Sequence, residues 1–149
     1  MRINKVSTPP FYGYAAIFFI VFFHFILPSF NFIPPPYNYI GLISVFIGIW
    51  LVIWPWLIFK QHHTPEDFSP PTALVTQGPY KFSRNPMYLG MVLFLFGLAV
   101  CLQNILAFIF PILFFLIVHF MFIPFEQHKM EACFSEKYIK YKNNTPKWI

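Results

Sequence analysis

From Met87 to Phe125 the chain runs 39 residues without a Lys, Arg, Asp or Glu, and its only adjacent polar pair is Gln103-Asn104. A bilayer core of about 30 Å is crossed by about 20 helical residues at 1.5 Å each. The run is therefore too long for one crossing and right for two, folded as a tight hairpin about the Gln-Asn pair. Charged residues make up 10% of the chain, against about 25% in soluble domains, too few to cover a water-facing surface. Two more apolar runs precede the hairpin, at 11–32 (interrupted by Pro28) and 37–59. The expected fold is an all-α integral membrane protein, one domain over 1–149, with four spans at 11–32, 37–59, 88–103 and 105–125. The third span is slightly short, so the bilayer thins around it or the hairpin stops before a full crossing.

The cations orient these spans. Arg2 and Lys5 precede span one, Lys60, Lys81 and Arg84 lie between spans two and three, and Lys129, Lys137, Lys140, Lys142 and Lys147 follow span four. The connections at 28–36 and 103–104 carry none. Four crossings put every Lys and Arg on one side, which the positive-inside rule makes cytoplasmic; an odd number would split them. Both termini are then cytoplasmic, and the expected location is a bacterial inner membrane. The net charge of +5 suits anionic headgroups. It does not suggest nucleic acid, because the basic residues are scattered over three segments. Cys101 and Cys133 fall on opposite sides, so no disulfide is expected. The first apolar run lacks a small-residue cleavage site and reads as a retained span.

Chemistry is left to the loop 60–87 and the tail beyond 126. The loop is rich in proline, which fixes φ and removes donors, so it is extended and shaped. The tail spaces Met130, Cys133, Phe134, Tyr138 and Tyr141 by three and four residues, an amphipathic helix over 126–142 whose apolar side meets lipid or the bundle. Lys147-Trp148 after Pro146 reads as an interface anchor. His62-His63 with Glu66-Asp67 brings metal to mind, but neighbouring ligands in a proline-rich loop rarely close a coordination shell, and no metal is expected. No P-loop, Gly-rich dinucleotide motif or Ser/His/Asp series occurs. Within the spans, His24 reads as a hydrogen-bonded packing residue. His119, Phe122 and Glu126 share one face of an ideal helix at i, i+3 and i+7.

The richest stretch is 72–90, TALVTQGPYKFSRNPMYLG. Gly78-Pro79 and Asn85-Pro86 each make a turn, spacing Tyr80, Arg84 and Tyr88, and Gly90 admits a close approach at the start of span three. Leu74-Val75-Thr76, Gly78, Tyr80, Arg84-Asn85-Pro86, Tyr88 and Gly90, followed by Glu126, Phe134, Tyr138, Tyr141 and Pro146-Lys147-Trp148, resemble the signature of the integral-membrane methyltransferases. That family includes the isoprenylcysteine carboxyl methyltransferases and the phospholipid N-methyltransferases. The resemblance covers roughly 60–149, in order.

It implies S-adenosylmethionine as cofactor and a lipophilic or lipidated methyl acceptor at the membrane face. Carried over, the cofactor residues are Thr72, Ala73, Leu74, Val75, Gly78, Tyr80, Asn85, Pro86, Met87, Tyr88 and Glu126. Arg84 and Glu126 are implied as catalytic, and Arg84, His119 and Phe122 as facing the acceptor. Four departures stand out. Asn85 replaces a His, Gln127 a second Glu and Ser135 a Gly; Phe122 stands where the prenylcysteine enzymes place an arginine near the substrate carboxylate. Arg84 is then the substitute anchor for an acidic acceptor. An amine acceptor instead needs a base, Glu126 or His119.

Overall fold

The computed structural model describes residues 8–26, 33, 35–62 and 71–149. Arg2, Lys5, Pro28, His63, Glu66 and Asp67 fall outside them. The described residues form helices and connecting turns, with no strand: α1 (Pro9–Ile26), α2 (Ile40–Gln61), α3 (Pro86–Leu102), α4 (Ile109–Ile117) and α5 (Ile123–Asn144). Short 3-10 turns precede α2, α3 and α4, and a π-helical segment, Val118–Phe122, joins α4 to α5. Three helical stretches are long and apolar enough to cross a membrane, Pro9–Ile26, Tyr37–Gln61 and Ile105–Asn144; Pro86–Leu102 is the shorter fourth. At 17 residues α3 is about 25 Å long, as the short third span anticipated.

Large apolar side chains point outward all along these helices, among them Phe18, Phe25, Phe46, Trp50 and Phe120. Such an exterior is stable only against hydrocarbon, and the protein is integral to the membrane. Inside, Ile20, Leu95, Ala99, Phe114 and Val118 are at most 1% exposed and knit α1, α3 and α4 together.

The tightest pairing is α2 against α3. In lipid there is little hydrophobic force between helices, so close backbone approach through small residues takes its place. Gly41 and Gly48 on α2 meet Gly97 and Gly90 on α3, and a Cβ on any of the four would sit 2.5–2.7 Å from a facing carbonyl oxygen. Ser44 Oγ donates to Leu93 O at 2.8 Å in the middle of the seam.

The hairpin turns where the Gln-Asn pair predicts. Gln103 takes the left-handed conformation that ends α3 (φ 54°). Asn104 accepts from Leu106 N at 3.0 Å and donates to Phe23 O at 3.0 Å. His24 Nδ1 donates to Leu102 O at 3.1 Å. These bonds satisfy backbone groups that lipid cannot, and His24 is thus a packing residue.

The tail differs from the expectation in one respect. It does not start a new helix at 126, because α5 already runs from Ile123 and changes direction only at Ser135, whose φ/ψ of 45°/−120° is non-helical. Only glycine adopts that conformation freely, and other residues bear about 1–3 kcal/mol there. Ser135 is the position at which the family resemblance has Gly. Ser135→Gly is expected to raise stability by about 1 kcal/mol, after allowing for glycine's freer unfolded chain, seen as a rise of a few degrees in the thermal midpoint in detergent.

Candidate active site

The break at Ser135 folds the rest of α5 over the loop. Tyr141 Oη donates to Tyr80 O at 2.7 Å, Arg84 N donates to Pro146 O at 3.0 Å, and Asn85 Nδ2 donates to Lys147 O at 2.9 Å. Loop and tail therefore lie at the same end of the bundle and enclose a cavity of about 440 Å³, within the range of small-molecule sites.

The loop is built by its turns. Gly78 (φ 58°) opens a 3-10 turn, Gly78–Lys81, and any Cβ on it would meet Ile58 Cδ1 at 2.6 Å. Tyr80 is thereby pressed into the cavity wall at 7% exposure, stacked on Phe59 with ring centroids 5.4 Å apart and planes 9° from parallel. Burial pushes the Tyr80 hydroxyl well above the ordinary tyrosine pKa, and the Glu126 charge and Tyr141 push it further. It is a neutral donor at any physiological pH. Asn85 N donates to Ser83 Oγ at 3.1 Å, and Pro86 then starts α3, its missing N–H costing nothing at a first helical position.

Across the cavity, Tyr88 Oη donates to Glu126 Oε1. This bond ties the start of α3 to the start of α5 and holds the carboxylate at a fixed point of the wall. Arg84 lies on the cavity wall with Tyr138, and its Nε and Nη1 are buried without a partner. Gln127 Nε2, on the same cavity, also lacks one.

Of the residues expected from sequence, Ala73, Val75, Tyr80, Arg84, Asn85, Pro86, Met87, Tyr88 and Glu126 line this one cavity. Pro71, Ala73 and Val75 line it at every second position. Thr72 and Leu74 fall between them and off the wall, and Gly78 shapes the turn from behind, against Trp54 and Ile58.

His119 and Phe122 are placed elsewhere. Phe122 is 5% exposed, edge-on to Tyr12 at 5.7 Å in the core. His119 accepts at Nδ1 from Trp148 Nε1 at 3.0 Å. The π-helical segment Val118–Phe122 turns by fewer degrees per residue than an α-helix, which sets the register back between His119 and Glu126 and separates two residues that an ideal helix superimposes. Pro124, just beyond it, has no N–H for the i−4 carbonyl, which relaxes the helix there. Trp148 accordingly turns inward, stacked on His119 with planes 10° apart.

Sequence reasoning did not assign Phe59, Met91, Gln127, Met130, Tyr138 and Tyr141 to the wall. The one usable signal was the Met130–Tyr138–Tyr141 face of the tail helix, which meets the loop and the cavity. Among the described residues no three His, Cys, Asp or Glu side chains come together as a metal site.

A helical membrane protein with an aromatic, carboxylate-bearing cavity where its tail closes over a loop is the class that these features define. The sequence model of the phospholipid methyltransferase family matches residues 37–137, about two thirds of the chain, and the protein belongs to that family. It is also 32% identical over 93 residues to protein-S-isoprenylcysteine O-methyltransferase B of Arabidopsis thaliana, an alignment covering 60% of this chain and 41% of the plant protein. The chain thus matches less than half the length of that relative. No solved structure matches it significantly.

Proposed function

We propose that this protein transfers a methyl group from S-adenosylmethionine to a lipophilic, acidic acceptor at the cytoplasmic face of the membrane. The observation that carries the reading is that two cavities lie side by side. The site cavity shares Pro10 and Met91 with a second, of about 240 Å³, lined by apolar side chains of α1, α2 and α3 such as Ile17, Ile53 and Phe94. Helices α1 and α2 both lean on α3 yet scarcely touch one another, so the second cavity lies toward lipid between them. A chamber with Arg84, Asn85 and Glu126 on its wall, beside an apolar groove, suits a small charged cofactor and an acceptor with a hydrocarbon tail.

The residues fit that cofactor. Glu126, on the cavity wall, would accept from an amino group and attract a cation, and the aromatic rings of Tyr80 and Tyr88 would add to the attraction. Bound there, S-adenosylmethionine would supply an electrophilic methyl group on a positively charged sulfur. The chain's own part is positioning and exclusion of water, through the stacked Phe59–Tyr80 wall and the tail folded over it.

Arg84 favours an acidic acceptor. Each buried, unpaired donor costs about 1–3 kcal/mol, and an anion brought to the Arg84 side chain offsets that cost. An amine acceptor is the second reading, suggested by the family's phospholipid name. It needs a base, and since His119 is engaged by Trp148 away from the cavity, Glu126 alone is left for that role. Labelled-methyl transfer from S-adenosylmethionine into membrane extracts separates the two. Label in base-labile esters is the expected result, and label in headgroup amines overturns the acidic acceptor. Absence of saturable S-adenosylhomocysteine binding by calorimetry would remove the cofactor assignment altogether.

A further inference from the structure

Residues 145–149 do more than trail from α5. Beyond α5, Thr145 is extended (φ −129°, ψ 127°) and buried at 7%. The backbone then runs beside the turn that carries Arg84 and Asn85. Pro146 O accepts from Arg84 N at 3.0 Å, while Lys147 O accepts from Asn85 Nδ2 at 2.9 Å and from Ser83 Oγ at 3.5 Å. Two consecutive carbonyls of this strap thus hold three consecutive loop residues, two of them on the cavity wall.

The strap's outer end is fastened by side chains alone. Trp148 Nε1 donates to His119 Nδ1 at 3.0 Å, and the indole lies against Phe115 with centroids 5.0 Å apart. Since Nδ1 accepts, the ring of His119 carries its proton on Nε2. The π-helical segment carries His119, so a local irregularity of the fourth span reaches the loop through the 145–149 segment.

We propose that Trp148 and His119 are positioning residues, whose hydrogen bond fastens the C-terminal strap and so fixes Arg84 and Asn85 in the cavity wall. Asn85 is accordingly a strap anchor through its amide nitrogen. The inference rests on the proposed function only for what the cavity binds; the fastening itself is testable without a ligand.

The test is amide hydrogen exchange on the full chain in lipid nanodiscs, with four variants. Trp148→Phe keeps the ring and removes the N–H, His119→Phe removes the acceptor, the double variant removes both, and His119→Gln offers a side-chain oxygen to the indole. Either single change is expected to speed exchange over 83–85 by about three- to ten-fold, the worth of one net hydrogen bond. The double variant should be no faster than either single one, because both remove the same interaction, and His119→Gln should recover most of the protection. Amides in α2 and α3 are the reference. Unchanged exchange at 83–85, additive single effects, no recovery with Gln, or equal acceleration in α2 and α3 would each overturn the proposal. The same variants should weaken S-adenosylhomocysteine binding by the same factor, with Gln again restoring it. If the unmodified protein binds none of that ligand, the proposed activity fails and exchange alone judges the strap.

Discussion

Glu126→Ala is expected to abolish methyl transfer and to weaken S-adenosylhomocysteine binding by about 10- to 150-fold, the worth of a hydrogen bond to a charged group in a closed site. The expectation follows from where α5 begins. Glu126 sits in its first turn, with an oxygen held by Tyr88 Oη and its side chain on the cavity wall. Two neighbouring changes separate its roles. Glu126→Gln keeps an oxygen for Tyr88 and removes the charge, so it should preserve the thermal midpoint and lose most of the affinity. Tyr88→Phe keeps the carboxyl group and removes its hydrogen bond, so it should lose less affinity. Glu126→Ala also strands the Tyr88 hydroxyl in a buried place, which adds about 1–3 kcal/mol of destabilisation. Calorimetric titration with a parallel melting curve reads both quantities. Affinity unchanged in Glu126→Ala would remove this residue from the site.

How much of this was visible in the sequence depends on the range over which each feature is decided. The hairpin was legible because lipid tolerates so few polar residues that Gln103-Asn104 could hardly be anything but its turn. Tyr80, Arg84, Asn85 and Tyr88 were legible as a group because Gly and Pro punctuate the loop and fix its turns locally. The grouping of His119 with Glu126 was not, because it assumed a constant 3.6-residue period, and a π-helical turn between them follows from packing in the fourth span. Thr72 and Leu74 could not be told from Ala73 and Val75, since nothing in the segment itself shows which of its side chains meet a cavity. Trp148 read as an interface anchor, the common use of Lys-Trp at a span end. Its partner His119 is 29 residues away, and no local pattern encodes that contact.

The other large effect lies far from the cavity. Gly48→Leu is expected to prevent folding, and Gly48→Ala to cost about 1–3 kcal/mol as overpacking. A Cβ at 48 would stand 2.6 Å from Gly90 O, 2.6 Å from Phe94 N and 2.9 Å from Phe94 Cα. These are backbone atoms of α3, which no rotamer change can move, so the whole of α2 has to withdraw. The Ser44–Leu93 hydrogen bond would go with it. So would the end of α2, where Trp54 and Ile58 back the Gly78 turn and Phe59 stacks on Tyr80. Gly48→Ala should therefore lower S-adenosylhomocysteine affinity as well as the thermal midpoint, although the residue is absent from the cavity wall. Gly13→Ala is the control. The nearest atom to its added Cβ is Phe114 Cε2 at 3.8 Å, ordinary contact, and the change should stay within about 0.5 kcal/mol of neutral or improve the helix. Equal tolerance at 13 and 48 would mean that α2 and α3 can part without loss. The loop would then owe its shape to the strap and its own turns, with no contribution from the glycine seam.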